Sequence, residues 1–151
     1  MTVQSQTKTR VGVTHRTSAA PATVYAIAAD SSSYPQWGGI GSFEEIRQGA
    51  DTRYGKGSER IFRTAGLTVR EEVVAAEPDR YIAYRLISGL PLKDYLGEIT
   101  ITPDGDKTSV GWYSSFIPPK GFGWFWRAFM QRTLGTMCAA LVKEAERRTK
   151  S

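Results

Sequence analysis

The sequence predicts an α+β domain in which an antiparallel sheet of about seven strands is covered by one long C-terminal helix, with two short helices after the first strand. Three observations predict it. Apolar and polar residues alternate through a series of short segments separated by turn residues, and connections that short join antiparallel neighbours. The last quarter of the chain instead carries large apolar side chains at helical spacing: Phe122, Trp126, Phe129, Met130, Thr133, Met137, Ala140 and Leu141 share one face. Between the first strand and the others, Ser18-Ala19-Ala20-Pro21 supplies a helix start, with proline suited to the first turn.

Taken in order, Met1 to Lys8 reads as a loose polar tail and Thr9 to Thr17 as the first strand, with Val11, Val13 and His15 on one face. Val24, Ile27 and Ala28 form the stripe of a short helix that stops at Ser31 to Ser33. Tyr34-Pro35-Gln36-Trp37 reads as a helical turn, and Gly38-Gly39-Ile40-Gly41 as a loop. Strands follow at Phe43 to Gln48, Gly57 to Thr64, Leu67 to Ala76, Arg80 to Ser88, Lys93 to Thr102 and Thr108 to Phe116. The breaks carry turn chemistry, among them Ala65-Gly66, Glu77-Pro78-Asp79 and Pro103-Asp104-Gly105-Asp106. Pro118-Pro119 ends the last strand, and the long helix runs from about Gly121 to Arg148. Residues 9 to 148 thus form a single domain, without repeat or linker.

Composition narrows the function classes. A chain of 151 residues with 40% hydrophobic and 23% charged content can bury a full core. No window is apolar enough to span a membrane, and Met1 to Arg10 lacks the apolar stretch of a signal peptide, so a cytoplasmic location is expected. One cysteine, Cys138, and one histidine, His15, cannot make an intrachain disulfide or a typical thiolate- or histidine-rich metal site. No metal and no cofactor is expected. The net charge of +5 is spread along the chain rather than forming a basic stripe with interleaved aromatics, which argues against nucleic acid. Asn is absent, which fits a GC-rich bacterial coding bias.

A family resemblance rests on particular residues. Ala20-Pro21-Ala22-Thr23-Val24-Tyr25, then Asp30 and Pro35-Gln36-Trp37, resemble the opening of the polyketide cyclase/dehydrase branch of the START-like superfamily, the helix-grip or Bet v 1-like domains. Gly55-Lys56-Gly57 before a strand, Glu72-Val73-Val74 ahead of Pro78, Tyr84, Gly89-Leu90-Pro91 and Thr108-Ser109-Val110-Gly111-Trp112 before Phe116 agree with it, across residues 9 to 148. The resemblance implies a helix-grip fold: a curved sheet that wraps the C-terminal helix and encloses a hydrophobic cavity. It also implies the range of such domains, which includes aromatase/cyclases, lipid carriers and hormone receptors.

Strand parity then predicts the lining. Phe62, Glu72, Val74, Tyr84, Leu86, Trp112, Ser114 and Phe116 are expected to face inward, with Trp126, Phe129, Met130, Thr133 and Met137 reaching in from the helix and Trp37 near the mouth. A solid core would use the same residues, but Tyr84 and Trp112 carry polar tips that suit a cavity better than a dry interior. Glu72 is the sharpest candidate, because an inward carboxylate among apolar groups has a raised pKa and can move protons. The competing reading pairs it with one of the neighbouring arginines Arg60, Arg63, Arg70 and Arg85, and a slip of one residue would expose it and bury Glu71. His15 with Glu72 or Tyr84 is the general-base arrangement the chain can offer. Trp124 falls on the polar side of the helix, close to Phe122 and Phe125, so the segment Phe122 to Trp126 suits a pocket lid, a membrane-surface contact, a dimer patch or a fold over the helix start.

The expected function is binding of a small hydrophobic or aromatic molecule, lipid-like or polyketide-like, in a cavity between sheet and helix, by a monomer or homodimer with no integral membrane association. The alternatives are a cyclase or dehydratase acting in the same cavity through Glu72, His15 and Tyr84, and a protein-interaction module with a filled cavity.

Overall fold

A computed structural model describes residues 8–150; apart from Lys8, the expected N-terminal tail lies outside the described residues. The elements run β1 (Thr9–Thr17), α1 (Pro21–Ala29), a single 3₁₀ turn (Ser31–Ser33), α2 (Tyr34–Trp37), β2 (Ser42–Arg47), β3 (Glu59–Thr64), β4 (Leu67–Glu77), β5 (Tyr81–Ser88), β6 (Lys93–Asp104), β7 (Lys107–Ile117) and α3 (Gly123–Lys150). All pairings are antiparallel, and the seven-stranded sheet has the order β1-β7-β6-β5-β4-β3-β2. Each strand from β2 to β7 pairs with its neighbour in sequence, and β1 closes onto β7. Short turns direct this order. At Ala65 and Gly66 both φ values are positive, 48° and 81°, the conformation of a two-residue hairpin turn whose twist matches that of its strands.

The loops sort into two ends. β1 starts beside the end of β7, with Thr9 opposite Phe116, and finishes beside its start, with Thr17 opposite Thr108. The β3–β4 and β5–β6 turns and the β7–α3 connection therefore share one end, while α1 and the β2–β3, β4–β5 and β6–β7 connections share the other. The helical end is pinned: Thr17 Oγ1 donates to Glu146 Oε2 (2.8 Å) and Thr108 Oγ1 to the carbonyl of Ala19 (2.7 Å). Pro21 opens α1 as anticipated, with Ala20 as an N-cap that offers no side-chain bond.

α3 is rotated relative to the expected face. Met130, Leu134, Cys138, Leu141, Val142 and Ala145 are its buried residues, while Trp126, Phe129, Thr133 and Met137 are half-buried on the flank. Gln131 and Gly135, which lie off the expected apolar face, meet β1. The Gln131 amide brackets the backbone of Gly12, accepting from its N–H (3.3 Å) and donating to its carbonyl (2.8 Å). A Cβ on Gly135 would stand 3.7 Å from Val13. These polar contacts register the helix on an edge strand whose backbone would otherwise be only half satisfied.

Candidate functional site

The interior contains a polar cluster set among aromatic rings. Its register originates in the β3–β4 hairpin: with Thr64 opposite Leu67, Phe62 faces Val69 and Arg60 faces Glu71, so both pairs point to the buried side. Arg60, whose side chain is 4% exposed, donates from Nε to Glu71 Oε1 (3.1 Å) and from Nη1 to Ser31 Oγ (2.8 Å). It thereby ties the sheet to the 3₁₀ turn after α1. The rings of Phe62, Tyr84 and Tyr34 surround its guanidinium at 4.9, 5.1 and 5.4 Å, where their π faces replace part of the hydration lost on burial.

The aromatic wall continues from there. Tyr34 stacks on Phe62 at 5.0 Å and sends its hydroxyl to the carbonyl of Ala28 (2.7 Å). Tyr84 OH accepts from Trp112 Nε1 (2.9 Å). Tyr95 stacks on Phe116 (6.1 Å) and lies 6.3 Å from Tyr84. Ser114, fully buried beside these rings, makes no well-formed hydrogen bond through its Oγ, although it lies close enough to the Tyr95 phenol to oppose the rise in that group's pKa. Burial pushes the carboxyl of Glu71 above its ordinary value, with Arg60 opposing the shift. Burial disfavours the charge on Arg60 too, but Glu71 and the adjacent phenols outweigh it and raise the guanidinium further. Desolvation also raises Tyr34 to about 12 and Tyr84 well above the usual phenol value. The tyrosines are thus neutral donors, and Arg60 is a permanent cation.

Two expectations are corrected. Glu72 does not face inward. It lies on the outer surface between Arg85 (2.6 Å) and Arg47 (3.2 Å), both half exposed, and is the paired carboxylate of the competing reading. Val74 does not line the interior either. Val73 pairs with Tyr84 and Ala75 with Ala83, which leaves Val74 as the extra residue of a β-bulge, half-buried, while Val73 takes the core position. The inward carboxylate belongs to Glu71.

The other predicted residues are found as follows. Phe62, Tyr84, Trp112, Ser114, Phe116 and Met130 are buried in the core, and Leu86 is half-buried at its edge. Trp37 packs on Tyr34 at 4.8 Å, with its indole N–H satisfied by Ser33 Oγ (3.0 Å). Trp126, Phe129 and Met137 pack against the core from α3, and the hydroxyl of Thr133 turns back to the carbonyl of Phe129 (2.8 Å). His15 sits half-buried opposite Val110, and among the described residues no hydrogen bond or ion pair joins it to Glu71, Glu72 or Tyr84. The structure therefore does not assemble the expected His15 arrangement.

From sequence, Ser31, Tyr34 and Tyr95 have no place in the site, and Arg60 enters only as a pairing candidate and Glu71 only as the outcome of a one-residue slip. A signal existed for two of them: in a two-residue hairpin at Ala65-Gly66, Phe62 facing inward obliges Arg60 and Glu71 to do the same. Arg60 also lines a cleft of about 320 Å³ at the α1 end, whose other walls include Tyr25, Tyr54, Val73, Ala76 and Ile82. Among the described residues no group of three His, Cys, Asp or Glu side chains could hold a metal ion, and no helix is long and apolar enough to cross a membrane.

Comparisons with known proteins agree with this architecture. No curated protein matches the chain. A START superfamily protein from Mycobacterium smegmatis superposes with a TM-score of 0.78 at 20% identity, covering 91% of this chain and 97% of its own. The Zhui aromatase/cyclase from Streptomyces sp. R1128 gives 0.75 at 21% identity, covering 95% and 96%. A norcoclaurine synthase mutant from Thalictrum flavum, solved with a transition-state analogue, gives 0.77 at 16% identity, covering 99% and 100%. At these identities the likenesses establish a common fold, the helix-grip arrangement of START-like domains. Residues 8–148 match the family model described as polyketide cyclase/dehydrase and lipid transport, and the chain belongs to that family.

Proposed function

We propose that the protein binds a small aromatic or polyketide-like molecule in its interior, with apolar contact supplying affinity and a few polar groups fixing orientation. The observation that carries this reading is Ser114. Its hydroxyl is 0% exposed and makes no well-formed hydrogen bond, the phenol of Tyr95 being its polar neighbour; a buried hydroxyl left without a good partner costs roughly 1–3 kcal/mol. A ligand oxygen placed against Ser114 would remove that cost. The walls beside it, Tyr84, Tyr95, Trp112 and Phe116, offer ring faces to an aromatic skeleton. Arg60 adds a cation suited to an oxyanion or an enolate-like edge.

A second reading, a cyclase or dehydratase, is favoured by one specific feature. Glu71 combines burial, a carboxyl pKa raised by desolvation and contact with a fixed cation that opposes the rise, the kind of environment in which a carboxyl can be tuned for proton transfer. Whether the neighbours' cyclisation chemistry extends to this chain depends on that proton. The similarity to an aromatase/cyclase supports the reading through fold alone.

Native mass spectrometry of the purified protein, followed by organic extraction, tests the binding proposal. A retained aromatic or acyl compound that is lost in Ser114→Val is the expected result. An apo mass, with no thermal shift against aromatic polyketides and fatty acids, would overturn it in favour of a filled core. Under the enzyme reading, Glu71→Gln retains the ligand and loses turnover.

A further inference from the structure

The end of the molecule opposite α1 carries apolar surface that the interior site does not use. Phe122, Trp124 and Phe125 are 56%, 73% and 43% exposed, and they sit in sequence on the connection after β7 and the first turn of α3. Trp124 packs edge-on against Phe125 (6.1 Å), which reaches Trp126 (5.2 Å) and stacks on Phe129 (6.1 Å). The exposed rings are thus the outer part of an aromatic ladder that runs down to the half-buried flank of α3. Three such rings left facing water gain nothing for folding, and a monomer seldom keeps contiguous aromatics on its surface without a use for them.

The charges around the ladder select the partner. Lys120 and Arg127 flank it in the chain, and Lys93, opposite Ile117 in the β6–β7 register, and Lys8, next to Thr9, lie at the same end; all are exposed. Arg127 lines a surface groove with Trp124, Gly123 and Thr9. Among the described residues none of these cations has a carboxylate within ion-pair distance. From Lys107 to Lys143 the chain holds five Lys and Arg and no Asp or Glu. Asp94 beside Lys93 is the nearest carboxylate in sequence. A second copy of this face would bring cations against cations, whereas an anionic lipid surface meets both properties: aromatic rings settle at the headgroup level, and Lys and Arg reach the phosphates.

We propose that Phe122, Trp124 and Phe125, framed by Lys120 and Arg127, form a docking surface for an anionic phospholipid bilayer. The inference rests on surface residues outside the interior cluster and stands apart from the ligand reading. Docking in this pose sets the half-buried flank of α3, with Trp126 and Phe129, next to the bilayer surface.

The test is cosedimentation of the whole chain with phosphatidylcholine vesicles, with and without phosphatidylglycerol, together with tryptophan emission. Binding that requires phosphatidylglycerol, weakens with salt and shifts emission to the blue is expected. Each basic side chain near the surface is worth roughly fivefold in partitioning, so Lys120→Glu with Arg127→Glu lowers binding at least tenfold. Trp124→Ser with Phe125→Ser abolishes it. Because all four side chains are exposed, thermal melting of the variants should match the parent. No partitioning at low salt, or equal partitioning by the aromatic double variant, overturns the proposal. So does a parent dimer, seen by light scattering, that dissociates in Trp124→Ser, which would make the face a self-association surface.

Discussion

The phenol ring of Tyr84 fills the space that a side chain at Gly97 would take. Gly97 lies directly opposite Tyr84 on β6, and a Cβ built there would stand 2.2 Å from Cζ and 2.6 Å from the hydroxyl. Glycine lets the ring lie across the neighbouring strand and brings its hydroxyl to the indole of Trp112, one pair further across the sheet. The cluster therefore depends on a residue that contributes no atom to it.

Gly97→Ala should force Tyr84 out of this pose. The expected loss is about 1–3 kcal/mol, the usual range for overpacking a close-packed interior, with a change in near-UV circular dichroism as the Trp112 bond breaks. Urea denaturation checks the first and spectroscopy the second. Unchanged stability and spectrum would mean that the ring has another resting place.

Arg60 and Glu71 are coupled by burial, so single and double replacements should disagree. Glu71→Gln leaves a buried guanidinium without its counter-charge, at a cost of about 3–5 kcal/mol. Arg60→Met combined with Glu71→Leu removes both desolvation costs, and its stability should recover most of the way to the parent. A double-mutant cycle by chemical denaturation measures the coupling. Additive effects would contradict the ion pair as described.

For Ser114 the expected sign is unusual. Ser114→Ala in the empty protein should be neutral or stabilising by up to about 1 kcal/mol, because it deletes a hydroxyl that makes no well-formed hydrogen bond. The same change should weaken ligand retention. Thermal melts with and without the extracted compound separate the two effects.

On the outer face of α3, Glu144 accepts from Arg147 (2.6 Å) and Arg148 (2.8 Å), which hold its carboxyl at about 2, below the ordinary 4.5. A depressed folded value stabilises above the unfolded one and is lost as pH falls from 4.5 towards about 2. Glu144→Gln should therefore lower Tm at neutral pH by about 1–2 °C, a small effect because solvent screens the pair. At pH about 2 the variant and the parent should melt together.

How much of this was legible beforehand differs from strand to strand. Along β7, unbroken alternation from Thr108 to Phe116 makes parity reliable, and Trp112, Ser114 and Phe116 face inward as expected. Along β4, the bulge at Val74 shifts the phase within the strand, and β5 has its own irregularity near Ile87. A single alternating template laid over Leu67 to Ala76 therefore picks the wrong member of Glu71-Glu72. Two adjacent glutamates are chemically indistinguishable in sequence, and only the hairpin register separates them. On α3 the bulkiest residues, Trp126 and Phe129, drew the expected face towards themselves, while the deepest positions belong to Cys138, Leu141 and Ala145, of which only Leu141 lies on the expected face. Small residues sit where helix and sheet approach most closely, so size is a poor guide to depth there.

The pinning of α3 at one end makes it a cantilever. Its buried residues all lie from Met130 onward, and the bonds from Thr17 and Thr108 fasten the structure around its C-terminal turns. Displacing the first two turns gives up the half-buried contacts of Trp126 and Phe129 but no fully buried residue, whereas displacing the last three would dismantle the core. Local opening of the helix and persistence of the domain are consequently governed by different stretches of α3. Amide exchange should grade from fast at Gly123 to slow near Leu141, and substitutions confined to the first turn should leave the melting transition where it was.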